Sequence, residues 1–142
     1  MLSIDEKLNC LRAAEMFSEA SDSILEKLAS MTHEVSFLEG DTVIVQGTSC
    51  VDLFVSIRGE FSILIREGDI EREIVKLNGP SKVVGEIGAV SGGLNATATV
   101  RVESESADFL RLNGEEFHLA LMAEPELAAN VLRSLARYLK DR

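Results

Sequence analysis

The most informative part of the sequence is V-V-G-E-I-G-A-V-S-G-G-L-N-A-T-A-T-V-R-V, from Val83 to Val102. It starts as a strand, breaks at Gly85-Glu86, and passes through a short apolar turn and a Gly-Gly loop into a second strand, where polar and apolar residues alternate. A strand–short helix–strand unit of this kind presents backbone N–H groups at a helix start, where they can bind a phosphate or another anion. The stretch therefore predicts an anion site between two strands.

Length and net charge limit the domain organisation of the chain and the kinds of partner that it can bind. The chain has 142 residues, which fits one domain with one core, and its formal net charge is −10. Because phosphate contacts need clustered lysine and arginine, this acidic balance argues against nucleic acid as a partner. The average field is also unfavourable for an anionic ligand, so a local positive site would have to override it.

The sequence shows no sign of export or of a membrane anchor. No apolar run reaches the roughly 18–20 residues that a membrane-spanning helix needs, and the N-terminal residues lack the basic start and apolar stretch of a signal peptide. Cys10 and Cys50 lie in unrelated contexts, so no disulfide framework is expected. These features predict a cytoplasmic protein without membrane contact.

Short strands and turn signals follow one another between two helical ends. Residues 1–32 carry helical patterns, residues 33–112 carry about eight short strands, one of them over Val51–Arg58, and residues 113–142 carry a helix pair. Evenly spaced short strands predict an antiparallel jelly-roll (double-stranded β-helix) barrel. The predicted fold class is therefore mainly β with flanking helices, in a single domain over residues 1–142.

The last predicted helix carries an apolar stripe at helical spacing, formed by Leu127, Val131, Leu135 and Leu139. Most of this stripe is interpreted as core. A homodimer seam is the sharper alternative, and a separate effector protein that docks on the C-terminal helix is another.

Four motifs follow one another along nearly the whole chain: F-L-E-G-D-T-V-I-V-Q-G, D-L-F-V-S-I-R-G-E-F, G-E-I-G-A-V with A-T-A-T-V, and D-F-L-R-L-N-G-E-E-F. In this order they resemble the cyclic nucleotide-binding domain family, the sensor fold of bacterial catabolite activators, kinase regulatory subunits and gated channels. The third motif resembles the family's phosphate-binding cassette. The resemblance implies a regulatory domain that signals through cAMP or cGMP and needs no other cofactor. Since no helix-turn-helix follows the last helix, the domain is expected to stand alone.

The resemblance also implies roles for residues of the cassette. Gly85 would let the backbone approach the ligand, Glu86 would accept a hydrogen bond from a ribose 2′-hydroxyl, and Thr97 would donate from the exit strand. The alternative is that Gly85 only makes a turn and that Glu86 caps the helix start. The implied ligand-binding residues are Val75, Gly85, Glu86, Ile87, Gly88, Ala89, Asn95, Ala96 and Thr97.

The chain departs from the family where the phosphate-binding arginine is expected. This chain has Ala96 there, or Asn95 if the loop is slipped by one residue. Because a hydrogen bond to a charged group is worth roughly 1.5–3 kcal/mol, its loss weakens binding about 10- to 100-fold. Lys82 and Arg66 are the candidates to compensate. A second departure is Ser81, which stands where the family usually has glycine.

Three functions are compared on these residues. The first is a sensor that binds cAMP, cGMP or a related small anion, weakly if at all. The second is a degenerate domain that has lost the nucleotide and serves protein–protein interaction or regulation. An enzyme is disfavoured, because metal-dependent jelly rolls need several histidine and carboxylate ligands, whereas His33 and His118 lie far apart in the sequence. No catalytic residues and no metal ligands are therefore assigned.

Overall fold

Eight strands form two four-stranded antiparallel sheets in the computed structural model, which describes residues 1–49 and 52–140. The strands are β1 (Thr32–Leu38), β2 (Thr42–Ile44), β3 (Leu53–Arg58), β4 (Glu60–Glu67), β5 (Ile70–Asn78), β6 (Val83–Val84), β7 (Thr99–Val102) and β8 (Ser106–Leu112). One sheet has the order β1-β8-β3-β6 and the other has the order β2-β7-β4-β5. The predicted antiparallel architecture is confirmed, although the described strands lie in two sheets that do not close into one barrel.

Helices flank the strands at both ends of the chain, and one short helix interrupts them. They are α1 (Ile4–Ala13), α2 (Asp22–Met31), α3 (Glu86–Ser91), α4 (Gly114–Ala123) and α5 (Pro125–Lys140), with a 3-10 turn at Glu15–Phe17. Local sequence explains several starts: Ser21 Oγ accepts from the N–H of Ile24, and Asn113 Oδ1 accepts from the N–H of Glu116. Val51, predicted to begin the third strand, lies outside the described residues together with Cys50.

One core lies between the helices and the first sheet. Leu53, Val55, Leu110 and Leu112 are fully buried there together with apolar residues of α1, α2, α4 and α5. Phe17 and Phe117 meet edge to face in this core, with ring centroids 6.1 Å apart. These contacts hold the helices on one side of the sheet that contains β6, the strand leading into α3.

A second core lies between the two sheets. Phe109 is fully buried and contacts the rings of Phe37, Phe54 and Phe61, with centroid distances of 5.8, 6.0 and 5.2 Å. Val84 of β6 belongs to this cluster and pairs with Phe54 of β3. Because β6 is only two residues long, this pairing fixes where the chain turns into α3.

The apolar stripe of α5 is core over its first half only. Leu127 and Val131 are buried and Leu135 packs partly against the core, whereas Leu139 is 62% exposed and Leu132 is 66% exposed. The interpretation as core therefore holds for the N-terminal part of the stripe. None of the helices in the described residues is both long and apolar enough to cross a bilayer.

Candidate functional site

A cavity of about 400 Å³ lies between the second sheet, the segment from β6 to α3, and the end of α5. Its wall is formed by Ile44, Ile63, Ile65, Ile74, Val75, Leu77, Val83, Val84, Gly85, Glu86, Ile87, Gly88, Ala96, Thr97, Ala98, Val100 and Tyr138. Seven of the nine residues predicted to bind ligand line this cavity, and Ala89 and Asn95 do not. A volume of this size is typical of small-molecule sites.

Gly85 turns the chain from β6 into α3. Its backbone is left-handed, with φ 86° and ψ 8°, and it occupies the N-cap position of the helix. A Cβ at this position would lie 2.3 Å from the carbonyl oxygen of Asp52 and 3.2 Å from Ile44 Cδ1. Glycine is therefore required for two reasons: the backbone conformation, and the close approach of Asp52, the residue that precedes β3.

The short helix α3 places its first residues against the cavity. The N–H of Ala89 donates to the carbonyl of Gly85 at 3.2 Å, which makes it the first N–H used inside the helix. The N–H groups of Glu86, Ile87 and Gly88 precede this bond, so helix geometry leaves them without an intrahelical acceptor. The Ala89 side chain is fully buried in the helical core, which accounts for its absence from the cavity wall.

Glu86 is the only ionisable carboxyl group on the described wall of the cavity. Burial raises the pKa of Glu86, because loss of water penalises the charged form, while a contact with its own backbone N–H acts in the opposite direction. No described ion pair involves this carboxylate. The site therefore offers a hydrogen-bond acceptor whose charge the described residues do not neutralise.

The exit segment before β7 is held by the loop that follows β2. Gly47 donates its N–H to the carbonyl of Ala96 at 2.8 Å, and the N–H of Ala96 donates to the carbonyl of Thr48 at 2.9 Å. These two bonds fix Ala96 at the cavity wall, next to Thr97, whereas Asn95 is exposed and lies off the wall. Of the two positions considered for the arginine, Ala96 is the one that faces the cavity.

No lysine or arginine lines the described cavity wall. Lys82 is exposed, and Arg66 lies in a separate hollow of about 430 Å³. In that hollow, Arg101 Nη1 contacts Glu71 Oε1 at 2.8 Å, and Arg66 Nη2 contacts Glu71 Oε2 at 3.5 Å. The two side chains considered as substitutes for the arginine are therefore outside the cavity.

Two features of the site were not expected from the sequence. Apart from Val75, which was predicted, the aliphatic residues of β4 and β5 that form much of the wall were not named, although the alternation of those strands could have indicated them. Ser81 adopts φ 66° and donates its hydroxyl to the carbonyl of Cys10 at 2.7 Å, so it ties α1 to the segment that leads into β6. The sequence marked Ser81 as a departure but gave no signal of this partner.

The described residues contain no group of three or more histidine, cysteine, aspartate or glutamate side chains arranged to hold a metal ion. The described cavity wall is apolar except for the Glu86 carboxyl group, the hydroxyls of Thr97 and Tyr138, and the backbone groups at the start of α3. Two antiparallel sheets, the short helix α3 that follows β6, and flanking helices define a domain of the jelly-roll type.

Comparison with known proteins identifies the family. The profile of the cyclic nucleotide-binding domain matches residues 34–124, and the chain belongs to this family of regulatory domains. It is 25% identical over 130 residues to the CRP-like cAMP-activated global transcriptional regulator of Mycobacterium tuberculosis. That alignment covers 92% of this chain and 57% of the regulator, so the chain spans little more than half of its relative.

Solved structures show the same fold. The N-terminal domain of a transcriptional regulator from Streptomyces coelicolor A3(2) superposes with a TM-score of 0.77 at 26% identity, covering 93% of both chains. A variant of the regulatory subunit of a cAMP-independent protein kinase A from Trypanosoma brucei superposes with a TM-score of 0.77 at 19% identity, covering 95% of this chain and 46% of that one. This variant carries three substitutions, one of them threonine to arginine, and is bound to cAMP in its A site.

Proposed function

We propose that the chain is a non-enzymatic regulatory domain whose cavity binds cAMP, cGMP or a related small anion weakly if at all. One observation carries the proposal: the cavity has the cassette residues Glu86 and Thr97 on its wall, but no basic side chain among its described lining. The acceptor and the hydroxyl suit the sugar of a nucleotide, while its phosphate would meet no opposite charge. Ala96 occupies the wall position at which an arginine would supply that charge.

The expected loss of nucleotide affinity follows from the missing hydrogen bond between an arginine and the phosphate. A charge-assisted hydrogen bond is worth roughly 1.5–3 kcal/mol, which corresponds to about a 10- to 100-fold change in the dissociation constant. The net charge of −10 adds an unfavourable average field for an anion. A variant of the Trypanosoma brucei subunit that carries a threonine-to-arginine substitution among three changes is bound to cAMP, which agrees with this reasoning.

Isothermal titration calorimetry with cAMP and cGMP tests the proposal on the native chain and on Ala96→Arg. The native chain should give at most weak binding in the millimolar range, and the variant should bind at least about 10-fold more tightly. Asn95→Arg is the matched control, since it adds the same charge one residue away at an exposed position. Micromolar affinity of the native chain, equal to that of Ala96→Arg, would contradict the proposal.

A second candidate function is that of a domain that has lost nucleotide binding and acts by protein–protein interaction. It is favoured by apolar side chains left uncovered on α4 and α5: Leu119 is 67% exposed, Met122 74%, Leu132 66% and Leu139 62%. Calorimetry separates the two candidates. Affinity that arises only in Ala96→Arg, with none for any small ligand in the native chain, supports the interaction module.

A further inference from the structure

The wall of the cavity is apolar over most of its extent. Aliphatic side chains from four strands of one sheet form one side of it, including Ile63 and Ile65 of β4 and Ile74 and Val75 of β5. Tyr138 of α5 adds an aromatic ring to the wall. Surfaces of this composition bind flat or ring-shaped ligands through burial of apolar area, because the removal of apolar surface from water lowers the free energy.

Polar recognition on this wall comes mainly from the cassette, and the phenol hydroxyl of Tyr138 is one further polar group on α5. Glu86 provides carboxylate oxygens, which only accept hydrogen bonds when ionised, and Thr97 provides a hydroxyl, which donates and accepts. A ligand hydroxyl matches both groups, since it can donate to the carboxylate and accept from the threonine. The cassette therefore selects a ligand with hydroxyl groups at one edge of an apolar body.

The charge of the cavity argues against an anionic group on that ligand. An anion would share an apolar space with the Glu86 carboxylate, and apart from the uncharged N–H groups at the start of α3 it would find no lysine or arginine on the described wall. A cation would have to leave water to enter the same apolar space, and the loss of hydration works against such buried ion pairs. An uncharged hydroxyl group gives up hydrogen bonds to water on entering the cavity but replaces them with bonds to Glu86 and Thr97. Its free-energy cost of desolvation is therefore smaller than that of an anion or a cation.

We infer that the cavity selects an uncharged ring compound with hydroxyl groups over its anionic and cationic counterparts. This inference rests on the proposed function in one respect, namely that the cavity is a ligand site. It goes beyond that proposal, because it states that a phosphate on the ligand reduces affinity in the native chain rather than contributing to it.

Three probes with the same base and a closely related sugar test the inference: adenosine as the uncharged compound, cAMP as the anion and 5′-amino-5′-deoxyadenosine as the cation. Calorimetry on the native chain should show adenosine binding at least about 10-fold more tightly than cAMP. In Ala96→Arg, cAMP should bind more tightly than adenosine, because the new guanidinium group balances the charge of the phosphate. The affinity for adenosine should change little.

Glu86→Gln tests the carboxylate itself. Adenosine should bind about 10-fold more weakly to this variant, since a neutral amide is a weaker acceptor than a carboxylate. Glu115→Gln is the matched control, because Glu115 is exposed in the first turn of α4 and does not line the cavity. Thermal unfolding without ligand shows whether each variant is folded before the affinities are compared.

The outcomes separate this inference from the proposed function. Binding of cAMP to the native chain as tight as that of adenosine overturns the inference and leaves the sensor in place. Tighter binding of the amine than of adenosine also overturns it, in favour of a cationic ligand. If none of the three probes binds the native chain while Ala96→Arg binds cAMP, the inference and the sensor function both fail, and the interaction module remains.

Discussion

Replacing Gly85 with alanine should destabilise the domain by an amount that can be worked out from two separate costs. The first is conformational: a residue with a Cβ at φ 86° pays roughly 1–2 kcal/mol for the left-handed backbone. The second is steric, because the new Cβ would lie 2.3 Å from the carbonyl oxygen of Asp52, and insertion into a packed site costs about 1–3 kcal/mol. Together they predict a loss of about 2–5 kcal/mol, before any change in the unfolded chain.

Gly40→Ala isolates the steric cost. Gly40 has φ 85°, nearly the same as Gly85, but a Cβ there would meet no heavy atom within 4 Å. Both substitutions reduce the freedom of the unfolded chain equally, which stabilises each variant by roughly 0.4–1 kcal/mol and cancels in the comparison. Gly85→Ala should therefore be less stable than Gly40→Ala by about 1–3 kcal/mol.

Urea unfolding followed by far-ultraviolet circular dichroism measures both variants against the native chain. Fluorescence is a poor probe here, since the sequence has no tryptophan and one tyrosine. The denaturant slopes must agree among the three proteins for the free energies of unfolding to be compared. Equal losses in Gly85→Ala and Gly40→Ala would refute the argument that the Asp52 carbonyl excludes a side chain from the start of α3.

Three further predictions concern Glu86, Ser81 and Asn130. Glu86→Gln should raise the thermal midpoint at pH 7, because it removes a buried charge. The gain should fade as pH falls through the raised pKa of Glu86 toward its ordinary value of 4.5, since the native carboxyl then binds a proton. A gain that is constant with pH would contradict burial as the cause. In urea unfolding, Ser81→Ala should be less stable than Ser81→Gly by about 1 kcal/mol, since both variants lose the hydrogen bond to the Cys10 carbonyl but only glycine adopts φ 66° without strain. The opposite order of stability would show that the backbone at this position is unstrained. Asn130→Ala should lower the free energy of unfolding by about 1–3 kcal/mol, because the buried amide joins α5 to two backbone groups of the N-terminal segment. The exposed control Asn95→Ala should change it by less than about 0.5 kcal/mol, and equal effects would argue against a role for the buried hydrogen bonds.

Local patterns in the sequence were enough for most elements of the fold. The β-strands and helices follow from alternation, turn residues and caps, which act over a few residues and are visible in the chain itself. Cap residues such as Ser21 and Asn113 stand at the starts of α2 and α4. The division of the strands into two sheets was not visible, because it depends on which strands pair over long separations, as β1 does with β8.

The candidate site was predictable in part for the same reason. Residues adjacent in the cassette, such as Gly85, Glu86 and Thr97, were named from the motif, and the structure places them on one cavity wall. Ala89 was named with them, but its side chain lies in the helical core because a helix turns successive residues to different sides. The binding roles of these residues stay predictions that the titrations decide.

The family and the absence of charge at Ala96 can be read from the chain alone, because both are properties of residue identity and order. Whether another cation takes the place of the arginine depends instead on how the chain folds. Arg66 and Lys82 were candidates in the chain, yet the fold directs Arg66 to Glu71 in a separate hollow and leaves Lys82 exposed. The physical reason is that electrostatic compensation depends on distance and burial, which arise when remote segments pack together and cannot be read from spacing along the chain.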